Sequence, residues 1–241
     1  MTLAAQIRNR IKKQAEGKTF GYADLGITKM EYQNAAKVLE RMQKNGDIKK
    51  ISKGVFYKPE QTVFGELQPD YSEQLRPYLF ENGKRIAYET GASLYNRLGL
   101  TTQMAFRIKI ASQNKRISIN RGALKASSVK SYVVVNDANY ELLGLLDAIK
   151  DIKRISDCTV KNAVVILSGK FKKLEPAAIK TLIQCAILYP PRVRALLGAV
   201  LENINTNIDT RELKESINPL TTFQLGLKEK DLPTIKNWNI E

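Results

Sequence analysis

The sequence predicts an α+β fold. Three features predict it: a helix, turn, helix and hairpin order in residues 1–60, alternating apolar residues between 106 and 119, and helical periodicity from Tyr140 onward. Residues 1–60 form a first domain and residues 61–72, with Gly65 and Pro69, a linker. Residues 73–241 form a second, mixed α/β domain with a small antiparallel sheet and several helices.

In the first domain Leu3, Ile7 and Ile11 recur at helical spacing across residues 3–14, with Arg8, Arg10, Lys12 and Lys13 over the remaining surface. A short connection around Phe20-Gly21-Tyr22 follows. Thr28 and Glu31 have capping-box spacing, in which the threonine oxygen meets a backbone N–H three residues on and the glutamate reaches back. They open a second long helix whose core stripe is Ala35, Val38, Leu39 and Met42. At about 100° per residue the opposite face carries Lys29, Gln33, Lys37 and Lys44, with Met30 and Asn34 nearer its edges. After Asn45-Gly46, residues 47–59 read as a hairpin with β-prone Val55, Phe56 and Tyr57 and a tip at Ser52-Lys53-Gly54.

This order is that of a winged helix-turn-helix. Lysine meets phosphate or guanine, and Gln and Asn pair bidentately with adenine, so the exposed helix face suits a major groove. Lys49, Lys50, Lys53 and Lys58 put four cations on one ribbon, which suits the phosphate backbone. The expected DNA contacts are Lys29, Gln33, Asn34 and Lys37 on the helix with Lys49, Lys50 and Lys53 on the wing.

Charge agrees. The net charge is +15, and residues 1–60 carry 13 Lys/Arg against 6 Asp/Glu, residues 61–130 carry 11 against 5, and residues 131–241 carry 15 against 13. A basic front and a near-neutral back imply an anionic partner for the front. The chain has no histidine, which removes Ser-His-Asp and Cys-His catalysis and the commonest general base. Cys158 and Cys185 are too few for a disulfide framework or a zinc site and read as small buried hydrophobes. No cofactor, metal or enzymatic activity is expected. Charges stand where a secretory signal has its apolar run, and no stretch reaches the roughly 20 apolar residues of a membrane helix, so a cytoplasmic protein is expected.

In the second domain a helix is expected at residues 73–80, broken by Asn82-Gly83, and a short helix between Gly91 and Gly99. Phe106, Ile108 and Ile110 alternate as a strand; Ile117 and Ile119 read as its antiparallel partner across Gln113-Asn114, and residues 132–135 as a third strand. Leu142, Leu143, Leu145, Leu146, Ile149 and Ile152 suit a buried helix. Period assigns no element to the apolar run 160–167. Two helices, 177–188 and 193–204, are separated by Pro190-Pro191. Leu225, Leu227, Leu232, Ile235 and Trp238 imply a tail docked on the body. Ser168-Gly169-Lys170 lacks the upstream glycine and the Lys-Ser/Thr pair of a phosphate loop. Arg97, Arg107, Lys109, Lys115, Arg116 and Arg121 make a basic stretch that reads either as a solvated sheet face or as a second nucleic-acid surface, for operator DNA or for RNA. Arg192 and Arg194 sit badly for a helix dipole and either find acidic partners or mark a site.

Residues Tyr88-Glu89-Thr90-Gly91-Ala92-Ser93-Leu94-Tyr95 with their continuation to Gln103, the segment Tyr189-Pro190-Pro191-Arg192-Val193-Arg194-Ala195-Leu196-Leu197-Gly198, and the front module together resemble the AbiEi-type antitoxins over about residues 1–204. These are the antitoxin halves of type IV toxin–antitoxin, or phage abortive-infection, operons. The resemblance implies an N-terminal winged helix that binds operator DNA and represses the operon, as a homodimer if the operator is an inverted repeat. It implies a C-terminal domain that opposes a nucleotidyltransferase toxin without a stable toxin–antitoxin complex. By position it places DNA contacts at Lys29, Gln33, Asn34, Lys37, Lys50 and Lys53. The competing readings are a winged-helix regulator with a ligand-sensing or dimerising second domain, and a carboxylate-dependent nuclease. The last needs clustered Asp/Glu, whereas those in residues 61–130 are scattered singly.

Overall fold

The computed structural model describes residues 2–121, 124–205 and 207–241. The fold is α+β and divides into two compact units, Met1–Arg85 and Ile86–Glu241.

The first unit opens with α1 (Leu3–Lys12), capped by Thr2, whose Oγ1 accepts from the Ala5 N–H at 3.3 Å. Strand β1 (Thr19–Gly21) follows, then a tight turn in which the Gly26 N–H donates to the Ala23 carbonyl at 2.8 Å. A 3₁₀ turn (Lys29–Glu31) runs into α2 (Tyr32–Lys44). The hairpin of β2 (Lys49–Ser52) and β3 (Val55–Tyr57) completes a three-stranded antiparallel sheet of order β1-β3-β2. Gly54 sits at φ 74°, the left-handed region that the tip needs and that glycine adopts freely. Ile7 and Ile11 of α1, Ala35, Leu39 and Met42 of α2, and Phe20 and Phe56 of the sheet bury together with Leu25, Ile27 and Ile48. Each large aliphatic or aromatic side chain so buried contributes roughly 1.5–3 kcal/mol. That core fixes α2 against the sheet and leaves its opposite face in water.

The segment expected to be a linker is structured. It holds β4 (Glu60–Thr62) and β5 (Gly65–Leu67), an antiparallel ribbon, and leads to α3 (Tyr71–Leu79). Asp70 caps α3 by accepting from the Glu73 N–H at 2.9 Å. Glu73 in turn bonds Thr19 of β1, so α3 belongs to the first unit and the boundary falls after Arg85 rather than near residue 72. Two short strands, β6 (Phe80–Glu81) and β7 (Lys84–Arg85), end the unit across Asn82-Gly83.

The second unit begins with β8 (Ala87–Thr90), α4 (Ala92–Arg97), β9 (Ile108–Ser112), β10 (Ser118–Arg121) and β11 (Leu124–Lys130). The sheet order is β10-β11-β9-β8. The expected pairing of the two isoleucine strands is corrected: β11 lies between them, antiparallel to β10 and parallel to β9, with Ala126 opposite Ile108 and Lys130 opposite Ser112. Residues 132–135 form no strand. The Ser131 hydroxyl donates to the Val133 carbonyl at 2.7 Å, a local bond that competes with a ladder.

Helices α5 (Tyr140–Lys150), α6 (Val160–Phe171), α7 (Pro176–Ala186), α8 (Pro191–Ile204) and α9 (Arg211–Glu215) make up the rest. Every residue from Leu142 to Ile149 is buried, so α5 is the centre of the unit, with α7 and α8 against it. The unassigned run 160–167 lies in α6, which continues through Ser168-Gly169-Lys170 and leaves no loop there to cradle phosphate. The tail docks as expected: Leu225, Leu227, Leu232, Ile235 and Trp238 are all buried. No helix among the described residues is long and apolar enough to cross a membrane.

Candidate nucleic-acid interface

The exposed face of α2 is built from its start. The Glu31 carboxylate accepts from the Thr28 backbone N–H at 2.9 Å and from the Thr28 hydroxyl at 2.8 Å. The backbone bond first, then the hydroxyl, holds the Glu31 carboxyl below the usual carboxylate range. The capping box expected from the Thr28–Glu31 spacing is therefore present, and the threonine hydroxyl also donates to the carboxylate. Tyr32 stacks on Tyr22 with ring centroids 4.8 Å apart, and Tyr22 meets Phe56 edge-on, which ties the helix start to the sheet.

Lys29, Gln33, Asn34 and Lys37 all stand exposed on this face, as the helical spacing requires. Met30 joins them at 94% exposure. An apolar residue off the core stripe at a helix start was the signal for it, and such a side chain suits a thymine methyl group. Lys50 and Lys53 are exposed on the wing, Lys53 beside Gly54 at the tip.

The other wing cations are committed elsewhere. Lys49 pairs with Glu66 of β5, and Lys58 with Glu16 at 2.9 Å. On the ribbon, Lys50 and Lys53 make no ion pair among the described residues. Neither pairing was legible locally, because Glu16 and Glu66 lie 42 and 17 positions away from their lysines.

The basic stretch of the second unit is also sorted. Arg97 donates to Glu89 at 2.6 Å. Arg107, Lys109 and Arg116 are exposed. Arg121 closes β10 by its backbone, and its side chain lies outside the described residues. Arg192 and Arg194 find carbonyls rather than acids: they donate to Lys150, the last residue of α5, at 2.9 Å, and to Ser216, the C-cap of α9, at 2.8 Å. Both guanidinium groups therefore sit at the negative ends of neighbouring helices, which offsets their place near the start of their own.

Residues 6–173 match the model of a family of unknown function, DUF6088. The chain belongs to that family. The DUF6088 match takes in all eleven strands among the described residues and runs to the end of α6, so it includes both the α2–wing surface and the basic sheet. No curated protein matches the chain. In fold, the chain is similar to the crystal structure of the RV2827C protein from Mycobacterium tuberculosis, with a TM-score of 0.51 and 12% identity over 92% of this chain and 84% of that one.

Proposed function

We propose that this protein is a DNA-binding antitoxin of a type IV toxin–antitoxin, or abortive-infection, system. In this reading it represses its own operon, counteracts a nucleotidyltransferase toxin without a stable toxin–antitoxin complex, and is not an enzyme. The observation that carries it is the grouping of Lys29, Met30, Gln33, Asn34 and Lys37 on the open face of a capped helix, with Lys50 and Lys53 on the adjoining hairpin of the same unit. Helix donors and acceptors read base edges, and wing cations fix the frame on phosphates. The antitoxin half rests on the resemblance of residues 88–103 and 189–198 to the AbiEi-type proteins.

Two measurements test the two halves. Fluorescence anisotropy with the chain's own promoter should show tight binding, and Gln33→Ala with Lys37→Ala should reduce the preference for that promoter over random duplex. Unchanged preference sinks the docking arrangement. Co-expression with a cognate nucleotidyltransferase toxin should restore growth. Growth arrest with promoter binding intact removes the antitoxin role and leaves a regulator.

A second reading has one observation in its favour. A cavity of about 620 Å³ opens among α6, α7, α8 and α9, with Phe171, Leu174, Ile179, Ile183, Ile204 and Ile208 as its apolar lining. A ligand-sensing winged-helix regulator would need such a space. A small apolar effector that changes promoter affinity would favour it.

A further inference from the structure

We infer that the second unit binds single-stranded nucleic acid on the open face of its β-sheet, apart from any duplex bound by the first unit. Residues 86–130 carry eight Lys/Arg and one Asp/Glu, and that one acid, Glu89, is held by Arg97. Strand register puts the rest to use. Lys109 of β9 lies opposite Ser127 of β11, which lies opposite Ser118 of β10; in the next row Lys125 faces Asn120. Paired residues share a face, so Lys109, Lys125, Ser118, Asn120 and Ser127 make one polar surface. The alternate residues Ile108, Ile110, Ile119 and Ala126 are buried on the other side. Toward β8 the same polar face passes under α5, where Tyr88, Thr90 and Ala111 are buried.

Four cations on or beside this face, Arg107, Lys109, Arg116 and Lys125, are exposed and make no ion pair among the described residues. They are available to phosphate. The connection leading into β9 adds two large apolar side chains in water, Met104 at 90% and Phe106 at 95% exposure. It is anchored: Asn96 Nδ2 donates to the Thr101 and Gln103 carbonyls at 3.2 and 3.3 Å. A duplex stacks its bases away from such groups, whereas a single strand offers their π-faces. Cations alone would suit either form. An exposed aromatic next to Arg107 in the segment that enters β9 selects the single strand, with Ser118, Asn120 and Ser127 placed for base edges or 2′-hydroxyls.

The test is fluorescence anisotropy of the full chain with labelled RNA and DNA strands of about 12 nucleotides and with the matching duplex. Phe106→Ala should weaken strand binding about tenfold and leave duplex binding and the melting temperature unchanged. Lys109→Glu with Lys125→Glu should abolish strand binding, while Lys50→Glu with Lys53→Glu should leave it intact. Phe106→Trp should keep the affinity, and its fluorescence should be quenched as strand is added. Preference for RNA over DNA would assign the serine and asparagine contacts to the 2′-hydroxyl. Strand binding that ignores Phe106, equal loss of duplex binding in the sheet variants, or displacement of the strand by polyglutamate as readily as by unlabelled strand would overturn the inference. These outcomes do not depend on whether the first unit binds an operator.

Discussion

Glu73 holds Thr19 across 54 residues of sequence. Its Oε2 accepts from the Thr19 backbone N–H at 3.0 Å, and the Thr19 hydroxyl lies 3.1 Å from both that oxygen and the Glu73 carbonyl. Thr19 is 3% exposed, so without Glu73 its N–H has no water to turn to. Glu73→Ala should destabilise the first unit by about 1–3 kcal/mol, the cost of an unsatisfied buried donor. Amide hydrogen exchange should show faster exchange through β1 and α2. Unchanged protection there would mean that α3 is not part of this unit's cooperative structure.

The Lys49–Glu66 pair sets Lys49 apart from Lys50 and Lys53 on the same ribbon, which make no ion pair among the described residues. Lys53→Ala and Lys50→Ala should each weaken binding to all duplexes alike and reduce the salt slope by about 0.9 for every phosphate no longer neutralised. Lys49→Ala should change the slope by less, because its charge is already balanced. Glu66→Gln should strengthen binding by releasing Lys49. If Lys49→Ala equals Lys53→Ala in a salt titration, the ribbon meets DNA with Glu66 displaced.

Buried in the second unit, Asp147 is 2% exposed and accepts from Tyr88 at 2.8 Å, Thr90 at 2.7 Å, Lys150 at 2.7 Å and Tyr189 at 3.3 Å. It joins β8, α5 and the start of α8 through one carboxylate. Asp147→Ala removes the acceptor and strands the Lys150 ammonium and the Tyr88 and Thr90 hydroxyls, Tyr189 keeping the Leu143 carbonyl at 3.4 Å, for a loss of about 3–5 kcal/mol. Tyr88→Phe removes one donor and leaves the carboxylate three others, so its cost should be nearer about 1 kcal/mol. Chemical denaturation of the pair checks the order. Equal losses would mean that the network is held by packing and not by the charge.

How much of this the sequence disclosed depends on the range of the interaction. The face of α2 was legible because helical period alone separates Ala35, Leu39 and Met42 from Gln33 and Lys37. The docked tail was legible because Leu225 to Trp238 had too many apolar residues to stay in water. Strand β11 was missed, since Leu124 and Val129 frame a run of small Ala and Ser residues with weak strand propensity. Once it is absent from the reading, β9 and β10 become neighbours by default. The linker was misread for a related reason: the β4–β5 ribbon has an exposed tip, Val63-Phe64, and gives no alternating buried pattern. Thr62 organises that tip instead, donating to the Gly65 carbonyl at 2.7 Å and accepting from the Phe64 N–H at 3.2 Å. The idle wing lysines and the carbonyl partners of Arg192 and Arg194 depend on tertiary contacts that no local pattern encodes.

Three buried phenols make the fold sensitive to alkali. Burial, and then the charge of Asp147, push the Tyr88 and Tyr189 phenols far above their ordinary value; burial and then Asp151 do so for Tyr95. A phenol raised in the folded state contributes stability that is whole below its unfolded pKa of about 10 and is lost as pH rises above it. Stability should therefore fall steeply above about pH 10. Of the ten tyrosines, these three should ionise only with unfolding, in step with loss of helical circular dichroism. Tyrosinate absorbance complete before the helical signal changes would contradict their burial.

Gly198 and Trp238 provide the most direct probe of the tail. A Cβ at Gly198 of α8 would lie 2.2 Å from the Trp238 ring, so the glycine is what lets the indole lie against the helix. The indole N–H donates to Glu202 one turn on at 2.6 Å, and Thr234 donates to the Ala199 carbonyl at 2.6 Å, so the tail is fixed on both sides of the contact. Both neighbours of that ring are constrained, and a methyl group there has no room to be absorbed. Gly198→Ala should cost about 1–3 kcal/mol by overpacking, despite the better helix propensity of alanine. Trp238 is the only tryptophan, so its emission reports this site alone. The variant should shift that emission to the red as the ring is pushed toward water, and Trp238→Phe in the same background should recover part of the lost stability. A Gly198→Ala protein with unshifted emission and raised stability would show that the indole does not sit on α8.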